Sequence, residues 1–94
     1  MALSAIPELP PERLAELREQ ILVYIFKTGT PPDHAVPAVK IESELGLTRD
    51  EMRAVHHHIL VKGYVAERAR MGQIGLSVPG KIAAQALLQG DRDI

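Results

Sequence analysis

Residues 45–52, Leu-Gly-Leu-Thr-Arg-Asp-Glu-Met, constrain the fold more than any other stretch of the chain. Gly46 has no Cβ, so it can take a positive φ and end a helix in a sharp turn. Thr48 and Glu51 follow with the S/T-x-x-E spacing of a capping box, in which each side chain bonds the other residue's amide. This stretch therefore predicts that one helix ends at Leu45 and another begins directly after Thr48.

Helical spacing also organises the part of the chain before this turn. Apolar residues recur at i, i+3, i+7 and i+11, which is one face of a helix: Leu14, Leu17, Ile21 and Ile25. We predict a first helix that opens at Pro11, where proline is favoured, and closes at Gly29 as a positive-φ cap. Residues 30–36 are expected to form a loop, and Pro37 is expected to open a short second helix that ends at Leu45.

The third helix is expected to run from Thr48 to Gly63 with an apolar inner face: Met52, Val55 and Ile59. His56 is predicted to be half-buried at the edge of this face. A last helix is predicted to open at Pro79 and stop at Gly90. Its expected apolar stripe is Ile82, Ala83, Ala86 and Leu87.

Between the third and last helices the hydrophobic period changes from 3.6 to 2, which predicts a β-hairpin around Met71-Gly72. The expected register places Val65 opposite Val78, Ala69 opposite Ile74 and Glu67 opposite Leu76. Arg68 and Arg70 then share the outer face. The fold class predicted from these elements is mainly α with a small β-hairpin, an α+β domain.

Length and composition limit what such a domain can be. The 94 residues suffice for one domain, which we place at 11–90, with an arm at 1–10 and a tail at 91–94. The chain has no cysteine, hence neither disulfides nor thiolate metal sites. Its longest apolar run, residues 21–26, is far too short for a membrane span, and residues 1–10 lack a signal-like core. We therefore expect a cytoplasmic protein that does not enter membranes.

Charge is distributed unevenly along the chain. The net charge is −1, but residues 47–81 hold six Lys/Arg against three Asp/Glu, a net of +3. Residues 1–46 hold four Lys/Arg against seven Asp/Glu, a net of −3. This concentration of positive charge in the third helix and hairpin indicates an anionic partner.

Three consecutive histidines, residues 56–58, raise the question of a metal site. Consecutive helical residues point about 100° apart, so the three rings cannot bind one ion together. No histidine or carboxylate lies four residues from any of them, so we expect neither a metal nor a cofactor. His57 is predicted to face solvent, and His58 to lie on the flank. The sequence also pairs no nucleophile with a base, so we do not expect an enzyme.

Three motifs resemble the winged helix-turn-helix family of DNA-binding domains. "LGLTRDEM" (45–52) is similar to the family's turn into the recognition helix, "LVKGYV" (60–65) to the exit toward the wing, and "LSVPG" (76–80) to the step into the next helix. The resemblance implies a winged-helix fold, double-stranded DNA binding through the third helix and wing, a homodimer and a role in transcription control. No catalysis and no cofactor are implied.

This resemblance assigns roles to particular side chains. Four residues are expected to face base edges in the major groove: Arg49, Asp50, Arg53 and His57. Ala54 is expected to allow close approach and to contact a thymine methyl. Four further residues are expected near phosphate: Thr48, Lys62, Arg68 and Arg70.

An alternative stays open, because a fold does not determine a function. The same scaffold can serve as a protein-interaction module with little or no DNA binding. Its support is the near-neutral charge, an exposed Val61 and the apolar arm at residues 1–6. In that case the arginines are ordinary solvated surface charge.

Overall fold

Helices and one short sheet make up the computed structural model, which describes residues 8–32, 34–66 and 72–91. Helices dominate, as expected, and the sheet is antiparallel with two strands among the described residues. The elements follow in the order α1 (Pro11–Thr28), β1 (Val36–Pro37), α2 (Ala38–Leu45), α3 (Arg49–Val61), β2 (Gln73–Ile74) and α4 (Val78–Leu88). No helix in these ranges is long and apolar enough to cross a membrane.

The first helix, α1, is the central element, because α2, α3 and α4 all pack against it. Pro11 occupies its first turn, as predicted, and its apolar face is fully buried: Leu17, Ile21, Leu22 and Ile25. Gly29 ends the helix, but its φ of −79° contradicts the predicted positive-φ cap. A Cβ at Gly29 would lie 1.9 Å from the carbonyl oxygen of His34, so close backbone approach requires the glycine.

The turn from α2 into α3 confirms the prediction made from residues 45–52. Gly46 has a φ of 67°, and the Leu47 amide donates to the Glu42 carbonyl across the turn at 2.9 Å. Thr48 Oγ1 accepts from the Glu51 amide, and Glu51 Oε1 accepts from the Thr48 amide, both at 3.0 Å. Both halves of the capping box are therefore formed, and α3 begins where its side chains predict.

The sheet differs from the predicted hairpin in register and in its partners. Val65 pairs with Leu76 instead of Val78, a shift of two residues. Val65 and Leu76 are buried, whereas Val78, which was expected on the inner face, is 64% exposed. The predicted Glu67–Leu76 pair is thereby excluded, and the pairing of Ala69 with Ile74 falls outside the described residues. Val36, in the expected loop, instead forms β1 and pairs with Ile74.

The last helix, α4, starts one residue earlier than predicted, because Ser77 caps it through a 3.1 Å bond from the Gly80 amide. Its buried residues are small: Gly80, Ala83 and Ala84. Ile82, expected in the apolar stripe, is 61% exposed. Small side chains let α4 approach closely, and a Cβ at Gly80 would lie 1.9 Å from the carbonyl oxygen of Tyr64.

Candidate functional site

The solvent face of α3 gathers several of the residues expected to bind DNA. Arg49, Arg53 and His57 are spaced four residues apart, so they form one ridge, and all three are exposed. Asp50 is exposed beside them. The opposite side of α3 is anchored in the core by three buried side chains: Met52, Val55 and Ile59. The buried face of α3 therefore holds the helix to the core, and the exposed face presents two arginines and an imidazole to solvent.

The two arginines of this ridge keep most of their hydrogen-bonding capacity. Arg49 Nε lies 3.9 Å from Glu42 Oε1, which is too long for a hydrogen bond, and its side chain is 75% exposed. Arg53 forms no ion pair within residues 8–32, 34–66 and 72–91. Both guanidinium groups can therefore donate to an outside acceptor.

Glu51, the acidic neighbour of the ridge, is occupied elsewhere. Its Oε2 accepts from Arg13 Nη2 of α1 at 3.1 Å, while its other oxygen closes the capping box. The bond from the Thr48 amide, followed by the bond from Arg13, lowers the pKa of the Glu51 carboxyl. Its charge is thereby compensated on the α1 side of α3, away from Arg53.

The expected phosphate contacts are spread along the molecule. Thr48 is exposed, and its hydroxyl proton stays available because the cap uses Oγ1 only as an acceptor. Lys62 is exposed at the C-cap of α3, roughly 20 Å along the axis from Arg49 at 1.5 Å per residue. Arg68 and Arg70 lie outside the described residues, so their predicted roles stay predictions.

The expectation for Ala54 is wrong. Ala54 is 4% exposed, because it lies on the flank of α3 that faces the start of α1, beside Leu14. The prediction oriented α3 from its own core residues and did not include the second flank that α1 covers. Ala54 is therefore not part of an exposed contact face.

The three histidines do point in different directions. His56 lies at the edge of the inner face, where much of its surface is exposed but burial still lowers its pKa, and His57 is exposed as expected. His58 is half-buried and contacts α1. No group of three or more His, Asp or Glu in the described part of the chain is placed to hold a metal ion.

The contact of His58 is with Arg18, a residue that sequence reasoning missed. Arg18 is 9% exposed, its Nη1 lies 3.0 Å from His58 Nε2, and its Nε has no hydrogen-bond partner among the described residues. Burial, then the positive charges of Arg18 and Lys62, and then His57 lower the pKa of His58. The signal was present, since Arg18 follows Leu14 by four residues and precedes Leu22 by four.

An open groove of about 590 Å³ runs between the start of α1 and the second half of α3. We call it the α1–α3 groove. Its lining is Glu8, Leu9, Leu14, Ala54, His57, His58 and Val61. It therefore combines an apolar wall with two imidazoles, next to the exposed ridge of α3.

Known proteins offer no assignment for this site. No family model, no curated protein and no solved structure matches the chain. The function must therefore be argued from the residues and their geometry.

Proposed function

We propose that this chain is a winged-helix domain that binds double-stranded DNA, with α3 in the major groove. The observation that carries the proposal is the exposed ridge of Arg49, Arg53 and His57 on a helix fixed to the core from behind. Binding without catalysis is the proposed activity, and the proposed biological role is transcription regulation as a homodimer.

The order of elements supports the fold part of this proposal. α2 and α3 are joined by a tight turn at Gly46, and the pairing of Val65 with Leu76 brings the segment after α3 alongside that before α4. β1 pairs with β2 through Val36 and Ile74. This arrangement agrees with the motifs at 45–52, 60–65 and 76–80.

The spacing of the ridge suits base recognition. Arg49 and Arg53 are four residues apart, which is about 6 Å along the helix axis. Base pairs stack about 3.4 Å apart, so the two side chains can reach bases roughly two steps apart. An arginine can bond guanine O6 and N7 together, and the major groove admits one helix. His57 extends the ridge by one more turn.

Phosphate contacts complete the proposed docking. The Thr48 hydroxyl and the start of α3 can meet phosphate at one edge of the groove, since a helix N-terminus favours anions. Lys62 reaches toward the backbone from the other end of α3, and Arg68 and Arg70 are the proposed wing contacts. Each phosphate neutralised should steepen the log–log salt dependence of binding by about 0.9.

The test is fluorescence anisotropy on a duplex recovered by selection from genomic fragments. We expect Arg53→Ala to weaken binding by about tenfold or more, as the loss of a bidentate base contact does. Lys27→Ala is the matched control: it also removes one exposed positive charge, but from the end of α1. Equal affinities for both variants would show that charge alone matters and would overturn the assignment of the ridge.

A protein-interaction module is the second candidate, and one observation favours it. Leu60 and Val61 are 48% and 72% exposed at the C-terminal end of α3, beside the ridge. Retention on heparin or duplex DNA at low salt separates the two functions. No retention, together with a binding partner that Leu60→Ser releases, would favour protein docking.

A further inference from the structure

The α1–α3 groove lies against a buried cation that has no carboxylate partner in the part of the chain that the structure describes. None of the ion pairs among residues 8–32, 34–66 and 72–91 involves Arg18, although its side chain is nine-tenths buried. His58, which lines the groove, is the neighbour its guanidinium reaches. Arg13, five residues earlier on α1, instead has both Glu16 and Glu51.

Such a cation is incompletely compensated. An arginine stays protonated in proteins, so its charge must be balanced by neighbours or by a ligand. A neutral imidazole supplies one acceptor but no negative charge, and Arg18 Nε has no hydrogen-bond partner within residues 8–32, 34–66 and 72–91. The position therefore favours an incoming anion over an incoming cation or neutral group.

The contact also determines how His58 can help to bind an anion. Arginine can only donate, so Arg18 Nη1 donates and His58 Nε2 accepts across 3.0 Å. The ring proton of the neutral imidazole then resides on Nδ1, since each neutral ring carries one N–H. His58 thus offers that N–H as a donor from the wall of the groove.

We propose that the α1–α3 groove is a binding site for a small amphipathic monocarboxylate. Its carboxylate would accept from His58 Nδ1 and balance the charge of Arg18, and its apolar body would cover Leu9, Leu14 and Val61. The volume of about 590 Å³ lies within the usual range for small-molecule sites.

This binding does not depend on whether α3 binds DNA. The two sites touch at His57, which belongs to the exposed ridge and also lines the groove. Binding in the groove is measured without nucleic acid, so failure of one proposal leaves the other intact.

The test is a titration of the full chain with octanoate and, separately, with octanamide, followed by two-dimensional NMR at pH 7. The two probes have the same apolar body and differ in charge. We expect octanoate to bind at least about tenfold more tightly, because a charge-assisted hydrogen bond is the stronger kind. The shifted resonances should include those of Leu14, His58 and Val61.

Substitutions then test whether the preference for octanoate comes from the charge of Arg18 or from any positive charge on α1. Arg18→Met should reduce the preference for octanoate and leave the binding of octanamide unchanged, whereas Lys27→Met should keep the full preference. Val61 is 72% exposed, so Val61→Asp and Val61→Asn should both fold. Val61→Asp should weaken octanoate binding by about tenfold relative to Val61→Asn through charge repulsion.

Any of three results would overturn the proposal: no shift with octanoate, equal affinity for both probes, or full preference retained in Arg18→Met. Should Arg18→Met fail to fold, equal octanoate binding by Val61→Asp and Val61→Asn would overturn it instead. Shifts confined to residues outside the groove would have the same meaning.

Discussion

The two ends of α3 are joined to α1 in opposite ways. At the N-terminal end, Arg13 bonds Glu51, and Glu51 also closes the capping box with Thr48, so cation, anion and amides are all matched. At the C-terminal end, Arg18 faces His58, and Arg18 Nε has no hydrogen-bond partner in the described ranges of the chain. Both contacts join the same two helices, and both place an arginine of α1 against a side chain of α3.

The difference separates a contact suited to stability from one suited to binding. Where the ion pair and the helix cap are both formed, no unpaired charge or polar atom remains for a ligand to bind. A buried guanidinium beside a neutral ring retains positive charge, which a negative ligand can compensate. One end of α3 is therefore electrostatically complete, and the other end is open toward the groove.

The largest expected effect concerns the close backbone contact that α4 makes just after the C-terminal end of α3. Gly80→Ala would place a Cβ 1.9 Å from the Tyr64 carbonyl oxygen, directly after α3, so α4 would have to move away. We expect a loss of about 3 kcal/mol in the free energy of unfolding, at the upper end for overpacked sites. Urea denaturation measures it, with Gln85→Ala on the exposed side of α4 as the control. A loss below that of the control would contradict the close approach.

The second largest effect compares the two arginines, because replacing each of them should change the free energy of unfolding in the opposite direction. Arg18→Met replaces a buried, uncompensated cation by an apolar side chain and should raise the free energy of unfolding by about 1 kcal/mol. Arg13→Met should lower it, and less so at high salt. Denaturation at low and high salt checks both. Destabilisation by Arg18→Met would mean that its charge is compensated after all.

A third effect isolates the cap at the N-terminal end. Thr48→Ala removes the oxygen that accepts from the Glu51 amide and should lower the free energy of unfolding by about 1 kcal/mol. Thr48→Ser keeps that oxygen and should stay close to the original protein. The exposed Thr30→Ala is the control, and thermal unfolding is the measurement. Equal losses for Thr48→Ala and Thr30→Ala would refute a stabilising cap.

The smallest expected effect is the pH dependence of stability. The two ends of α3 differ in the pH range over which their contribution to stability is lost. The pKa of His58 is lowered from 6.5 by burial and Arg18, so the unfolded chain binds more protons and stability falls as pH drops below about 6.5. The pKa of Glu51 is lowered from 4.5, so its contribution is lost only at lower pH, as it becomes protonated in the folded state.

Urea denaturation between pH 7.5 and pH 5 checks the His58 window. Partial burial and His57 also lower the pKa of His56, so the comparison is between the original chain and His58→Gln. We expect a shallower loss of stability in His58→Gln. Parallel curves would mean that His58 does not contribute.

Local chemistry explains which parts of the fold were predictable from sequence. The turn at Gly46 and the box of Thr48 and Glu51 involve residues within a few positions of one another, and both form as predicted. The role of Gly29 could not be predicted from its neighbours, because it depends on the approach of His34. β1 was missed for a similar reason: its two residues pair with a strand far along the chain.

The residues of the candidate site also differ in how far the sequence could predict their positions. Exposure of Arg49, Arg53 and His57 follows from the inward positions of Met52 and Val55, which the period of α3 fixes. Burial of Ala54 depends on how α1 crosses α3, and helical periodicity within one segment carries no information about that crossing. The spacing of Arg18 from Leu14 and Leu22 indicates an inward position, but its contact with His58 required the assembled tertiary structure.

The pairing of Val36 with Ile74 has a consequence for the order of folding. These residues are 38 positions apart, and the chain between them contains both α2 and α3. Pairing distant strands costs loop entropy, and that cost falls when the intervening helices already shorten the loop. We expect the turn at Gly46 to form before the rate-limiting barrier and the strands to join after it. Kinetic φ-values near zero for Ile74→Val, with larger values for Met52→Ala, would report that sequence of events.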